Sequence, residues 1–212
     1  MSADTRSNEH LLDAARNGDE GALAALVERH RERLERMVEL RMDQRLQGRV
    51  DPADVVQEAY LTLRGTFSQY CDDPRLPFYL WLRLEVGQKL VQLHRFHLGT
   101  KMRDAGQEVS LHRGALPQVS SLSLAEHLLG KLTSASHAAM RVELKLHVQE
   151  ALNSMDANDR EVLILRHFEE LSNVEVAQVL GMKPTAAFNR YVRALKRLKD
   201  VFEAMPGGIE GI

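Results

Sequence analysis

The sequence is short of the residues that staple a chain or carry it through a membrane. It holds one cysteine, Cys71, in 212 residues. A single thiol closes no disulfide within the chain and excludes a multi-cysteine zinc site. No apolar run approaches the roughly 20 residues needed to cross a bilayer. The N-terminal MSADTRSNEH is polar and has no secretory apolar segment. Together these features predict a soluble, cytoplasmic protein with no membrane span. Aromatics make up 5% of the chain and β-branched runs are short, so a strand-based architecture is disfavoured.

Signs of catalysis are missing too. There is no glycine-rich phosphate loop and no nucleophile paired with a base. His94 and His97 are spaced HxxH, and Glu143 and His147 stand four apart, but no further ligand has motif spacing. The two histidines His94 and His97 lie in a basic segment and read as DNA-facing or solvated. No enzyme activity, metal or cofactor is expected. An excess of positive charge is also lacking: 28 Lys and Arg stand against 30 Asp and Glu. A free-standing nucleic-acid binder is usually more basic. DNA binding must therefore be confined to local patches or supported by another protein.

What the chain has in quantity is Leu, Ala, Arg and Glu, in amphipathic runs. That predicts an all-α protein. Two helical domains are expected, at 9–102 and 140–205, joined by a flexible linker, 103–139, rich in Ser, Gly and His. One short helix is expected inside the linker, at 123–132. The tail Pro206-Gly207-Gly208 ends the last helix.

In the first domain a short helix at 11–15 is broken by Asn17-Gly18-Asp19. A second starts near Glu20 and is expected to run to Gln47, where Gly48 follows. Asp51 is an N-cap candidate and Pro52 suits the first helical position. Val55, Val56, Ala59, Tyr60 and Leu63 form an apolar stripe, with Asp54, Gln57, Glu58 and Leu61 opposite. Gly65 is expected to close that helix, and residues 66–77 have loop chemistry. A long helix follows from Phe78 to about His97. Leu80, Leu84, Val86, Leu90 and Leu93 point inward there, and Arg83, Lys89, His94 and Arg95 point elsewhere.

The second domain carries the sharper pattern. A helix at 142–152 precedes one at 160–168, capped by Asn158 or Asp159. Leu171-Ser172-Asn173 is a turn, with Ser172 or Asn173 capping a helix that reaches Leu180. Gly181 stands where a helix-turn-helix needs positive φ, and Pro184 opens the recognition helix. Ala187, Tyr191, Ala194, Leu195 and Leu198 share its inner face, and Phe188 borders that stripe as a packing residue. The outer face carries Thr185, Asn189, Arg190, Arg193, Lys196 and Arg197. Between Gly181 and Lys199 there are six basic residues and no acidic one. Lys183, Thr185, Ala186 and Asn189 are placed for base edges, Arg190 and Arg193 for bases or phosphates, and Lys196 and Arg197 for phosphates.

These motifs together bear a family resemblance. Asp51-Pro52-Ala53-Asp54-Val55-Val56-Gln57-Glu58-Ala59-Tyr60-Leu61 resembles region 2.2 of bacterial sigma-70 factors. Phe78-Tyr79-Leu80-Trp81-Leu82-Arg83 is similar to the F-x-x-W-L motif of their extracytoplasmic-function class. Asp159 to Phe168, with the helix-turn-helix after it, resembles region 4. The resemblance covers almost the whole chain apart from the linker and tails.

The resemblance implies a factor that binds RNA polymerase core, directs it to promoters and opens the DNA, while the polymerase does the chemistry. It implies that Asp54, Gln57, Glu58 and Leu61 dock on the clamp helices of the largest polymerase subunit, with the flap region as a further contact. Promoter opening would fall to residues 66–97, where Arg75, Arg83, Lys89 and Arg95 supply charge for the minus-10 element and the melted non-template strand. The aromatics Phe67, Tyr70, Phe78, Tyr79 and Trp81 read mostly as core. The recognition helix would read the minus-35 element. An anti-sigma factor is a further candidate partner. The chain departs from the family at Gly87-Gln88, where Asn is frequent, at Phe188, a commonly basic or polar position, and in its longer linker. The rival reading is a helix-turn-helix regulator that does not open DNA.

Overall fold

The computed structural model describes residues 7–98, 116–130 and 138–203. Lys101, Arg103, most of the linker expected at 103–139, and the Pro206-Gly207-Gly208 tail lie outside the described residues. Among those described there are helices and turns and no strand. The chain divides into two compact units. The first holds α1 (Asn8–Arg16), α2 (Glu20–Arg41), α3 (Pro52–Asp72) and α4 (Phe78–Leu98), together with Leu116 and Pro117. The second holds α5 (Ser121–Gly130), α6 (Ala138–Ser154), α7 (Ala157–Leu163), α8 (Asn173–Leu180) and α9 (Pro184–Glu203).

In the first unit the helix starts follow local chemistry. Ser7 accepts the His10 N–H at 3.2 Å, Asp19 accepts that of Ala22 at 3.0 Å, and Asp51 accepts that of Ala53 at 2.9 Å. Each satisfies one of the donors a helix start leaves open. Pro52 opens α3 as expected.

The helix ends are less local. α2 stops at Arg41, six residues short of the expected Gln47. The Asp43 N–H donates to His94 Nε2 at 3.2 Å, and the Asp43 carboxylate takes the Arg45 backbone N–H at 2.9 Å. Side-chain acceptors thus offer the backbone an alternative to the helix ladder. Gly48, with φ 79°, belongs to the turns that follow.

α3 does the opposite and passes through Gly65 to Asp72, so only five residues separate it from α4. A helical glycine costs about 1 kcal/mol relative to alanine. Burial of Phe67 and Tyr70 beyond it outweighs that cost. Tyr70 stacks on Trp81 with ring centroids 4.5 Å apart, and both meet Phe78. These rings pack with Leu11, Leu23 and Leu26 in one core, so Trp81 is structural. The Tyr70 hydroxyl donates to the Leu76 carbonyl at 3.1 Å and ties down the short loop before α4.

Two polar groups on α4 sit inside. Arg83 is 2% exposed and His94 is equally buried. This corrects the expectation that both point away from the core. Gly87 is buried for a different reason: a Cβ there would lie 1.7 Å from Leu116 Cδ2. Arg41 donates to the neighbouring Pro117 carbonyl at 3.2 Å. The Leu116–Pro117 segment is therefore seated on the first unit by a missing side chain and a buried guanidinium.

In the second unit α5 begins at Ser121, two residues before the expected start. Ser120 Oγ accepts the Ser123 N–H at 3.0 Å. Leu124, Ala125 and Leu129 of α5 are buried, as are Leu144, Val148 and Leu152 of α6. Arg160 of α7 donates to Ser121 Oγ at 3.0 Å and to the Leu152 carbonyl at 3.3 Å, which joins three helices. α7 is capped by Asp156, not by Asn158 or Asp159. A π-helical turn, Ile164–Phe168, follows α7 and leads into the turn before α8.

Candidate nucleic-acid and protein interfaces

The helix-turn-helix of the second unit is built from local signals. Ser172 and Glu175 form a reciprocal capping box at the start of α8, with bonds of 3.3 and 2.7 Å. Gly181 ends α8 at φ 60°, ψ 39°, a left-handed conformation that favours glycine. Asn173 then donates from its side chain to the Pro184 carbonyl at 2.8 Å, which links the starts of α8 and α9. Val176, Ala177 and Leu180 of α8 are buried, and so are Ala187, Ala194 and Leu198 of α9. This packing leaves one face of α9 in solvent.

That face is less uniformly basic than its sequence. Asp159 of α7 is buried and accepts from Arg190 at 2.7 Å and from Arg193 at 2.8 and 2.9 Å. Arg190 also reaches Asp156 at 2.9 Å. Burial pushes the Asp159 carboxyl up, but the hydrogen bonds and charges of Arg193 and Arg190 prevail and hold it below the usual carboxylate range. Arg197 donates to the Ser154 carbonyl at 2.9 Å. Three of the six basic residues are thus turned back onto their own unit. Lys183 and Lys196 are exposed and pair with no described residue, while Lys199 pairs with Glu203 at 3.2 Å.

The apolar side of α9 also needs correction. Leu195 is 40% exposed and Phe188 is 55% exposed, so neither is the packing residue that the periodicity suggested. Val192 between them is 47% exposed. Thr185 and Asn189 are exposed on the same helix and Ala186 is half-buried.

In the first unit, α3 brings Asp54, Gln57, Glu58 and Leu61 together on its solvent face. All four are exposed, and Leu61 reaches 65%. Val55, Val56, Ala59 and Leu63 face inward. Glu58 also binds Lys89 of α4 at 2.7 Å.

The four basic residues assigned to the minus-10 element do not form one surface. Arg75 is exposed in the loop and paired with Asp73 at 2.5 Å. Lys89 is held by Glu58, and Arg95 is exposed. Arg83 is buried and so supplies no charge to a DNA strand from the surface. His94 is not DNA-facing either, since its Nε2 accepts the Asp43 N–H. Burial holds its pKa below the usual histidine range. Among the described residues, no group of three or more His, Cys, Asp or Glu converges as a metal site. No helix among them is long and apolar enough to cross a membrane.

Sequence reasoning missed two residues. Asp159, one of two cap candidates with Asn158, instead anchors Arg190 and Arg193, and an Asp at a helix start looks the same in either role. Phe96, next to Arg95, is 82% exposed. Its position off the apolar stripe was the available signal.

Comparison with known proteins agrees with this geometry. Residues 145–198, which span most of α6 to α9, match the family described as Sigma-70, region 4. The chain is 28% identical over 198 residues to the RNA polymerase sigma factor CnrH of Cupriavidus metallidurans, covering 92% of this chain and 93% of that protein. A solved structure, CnrH in complex with the cytosolic domain of CnrY, matches the fold with a TM-score of 0.53 at 24% identity. The match covers 94% of this chain and 99% of that one.

Proposed function

We propose that this chain, which belongs to the sigma-70 family in its extracytoplasmic-function class, binds RNA polymerase core and directs it to promoters. The observation that carries the proposal is the helix-turn-helix of α8 and α9. Its left-handed Gly181 and its capping box fix a recognition helix with Thr185, Ala186 and Asn189 at the leading end. The first two turns of such a helix enter the major groove and meet base edges. Lys183 joins Thr185, Ala186 and Asn189 at the base edges, Lys196 holds a phosphate of the minus-35 element, and Arg197, Arg190 and Arg193 add to it when DNA competes with Ser154 and Asp159.

In this reading the domains span 9–102 and 140–205, joined by the linker 103–139. The α3 face of Asp54, Gln57, Glu58 and Leu61 docks on the clamp helices of the largest polymerase subunit, and the flap region holds the second domain. Arg75, Lys89 and Arg95 serve the minus-10 element and the melted non-template strand. The protein acts in the cytoplasm without catalytic activity of its own. An anti-sigma factor is a second partner. The solved relative, CnrH in complex with the cytosolic domain of CnrY, suggests that kind of assembly.

Because Asp159 and Ser154 hold three arginines, the free protein binds DNA weakly and the polymerase supplies the remaining affinity. The test is transcription in vitro with purified core polymerase on genomic templates. Promoter-specific transcripts that depend on this chain are expected, and Leu61→Asp and Glu58→Lys should reduce polymerase binding. DNA binding without any transcript would favour a regulator that does not open promoters.

A further inference from the structure

We infer that the recognition helix reads A·T pairs, with Phe188 packed against the 5-methyl group of thymine in the major groove. This rests on the promoter-binding function proposed above and specifies the chemistry of its upstream element.

Phe188 lies in the second turn of α9, which begins at Pro184 directly after the Gly181 turn. It is more than half exposed, while Ala187 beside it is fully buried. A large apolar ring is thus held in solvent on the part of the helix that meets base edges.

Of the cations that could read guanine, Arg190 and Arg193 are tethered inside the second unit of the free chain, and Lys183 precedes the recognition helix. Guanine is read most often by an arginine or a lysine at its O6 and N7. Arg193 already forks both oxygens of the buried Asp159. Arg190 is shared between Asp156 and Asp159. Each would have to leave a charge-assisted bond to reach a base, and leave a buried carboxylate behind.

The groups that remain at the leading end are of another kind. Thr185 offers a methyl and a hydroxyl, Val192 an exposed isopropyl group, and Asn189 an amide. An asparagine forks adenine N6 and N7, and apolar side chains meet the thymine methyl. These partners belong to the same base pair. Lys196 stands further along the exposed face, where phosphates flank the groove.

Phe188, Val192 and Leu195 follow one another at helical spacing, so a helix of a protein partner is the competing occupant. Phe188 and Val192 share their turns with Asn189, and Leu195 lies further from the leading end. The ring and the amide together favour DNA.

The test uses the full chain assembled with core polymerase. Promoter DNA is selected from a random library, and each thymine of the upstream element is then replaced in turn by deoxyuridine, which lacks only the methyl. Wild type should lose about fourfold in affinity at one or two positions, the worth of one buried methyl. Phe188→Ala should bind thymine and deoxyuridine equally at those positions, and Phe188→Leu should keep part of the difference. Equal binding of both bases by wild type, or contacted positions that prove to be G·C, would overturn the inference and leave promoter binding intact. Loss of polymerase association by Phe188→Ala, with methyl discrimination retained, would assign the ring to a protein interface and overturn the inference. Selection of no sequence at all would overturn the proposed function and this inference with it.

Discussion

The two units bury charge of opposite sign. Among the described residues the first encloses Arg41, Arg83 and His94, and the second encloses Asp159 and Glu169. In the first, Arg41 and Arg83 are withdrawn from the surface beside a neutral His94, and the exposed face of α3 keeps Asp54 and Glu58. In the second, a buried carboxylate sits beneath the basic helix and holds two of its arginines. A buried charge is costly unless it is paired, so each unit fixes its internal partner before it offers a surface. A surface's working charge is therefore not the sum of the charged residues along its helix. It depends on which like-charged residues the interior has already claimed.

The strongest way to break this contrast is Asp159→Ala. It removes the acceptor shared by Arg190 and Arg193 and should destabilise the second unit by about 2–4 kcal/mol, toward the lower end because both arginines can turn to solvent. Hydrogen exchange should show faster opening of α7 and α9 with α2 to α4 unchanged. The same variant should bind non-specific DNA more tightly in low salt, because two guanidinium groups are released to phosphates. Unchanged protection of α9 would show that the buried carboxylate does not anchor it.

A change of intermediate size tests the first unit. Gly87→Val places branched carbons where Leu116 sits, and overpacking of this kind costs about 1–3 kcal/mol. The Leu116 side chain is the softer partner, so the segment 116–117 should leave its seat. Proteolysis near Leu116 should accelerate while α3 stays protected.

Acid should separate the units next. Burial lowers the pKa of His94 below its unfolded value near 6.5. The unfolded chain therefore takes up the proton first as pH falls. The stabilising contribution of neutral His94 is complete above about 6.5 and is lost as pH drops toward the depressed value. Asp159 behaves differently: its folded pKa lies below 3.8, so its contribution persists above that value and is lost only as pH falls through the folded pKa. Glu85 opposes His94, because burial raises its carboxyl pKa. Comparison of wild type with His94→Gln isolates the histidine. The wild-type first unit should weaken relative to the variant as pH falls below about 6.5, while the second unit shows no difference.

The smallest expected effect is a gain. Gly65 lies in mid-helix, and a Cβ there would meet nothing within 4 Å. Gly65→Ala should stabilise the first unit by about 0.5–1 kcal/mol in denaturant unfolding. A loss instead would mean that α3 needs freedom at this point.

The sequence read local features well and remote ones poorly. Asp51-Pro52, Ser172 and Gly181 act within one helical turn of themselves, and each was legible. The exposed α3 face followed from 3.6-residue spacing alone. The end of α2 was not legible, because Asp43 is engaged by a histidine 51 positions away. The extension of α3 was hidden for a similar reason, since Phe67 and Tyr70 gain their partners from α1, α2 and α4.

An all-helical chain, the position of its helix-turn-helix and the motifs that resemble the sigma-70 family were all legible along the sequence. These depend on propensity, capping and spacing, which act over a few residues. The tertiary structure alone decided which charges are available. Arg83 is enclosed, Arg190, Arg193 and Arg197 are tethered, and Phe188 is left in solvent. The physical reason is that burial and ion pairing join residues 30 or more positions apart, and no local pattern records that distance.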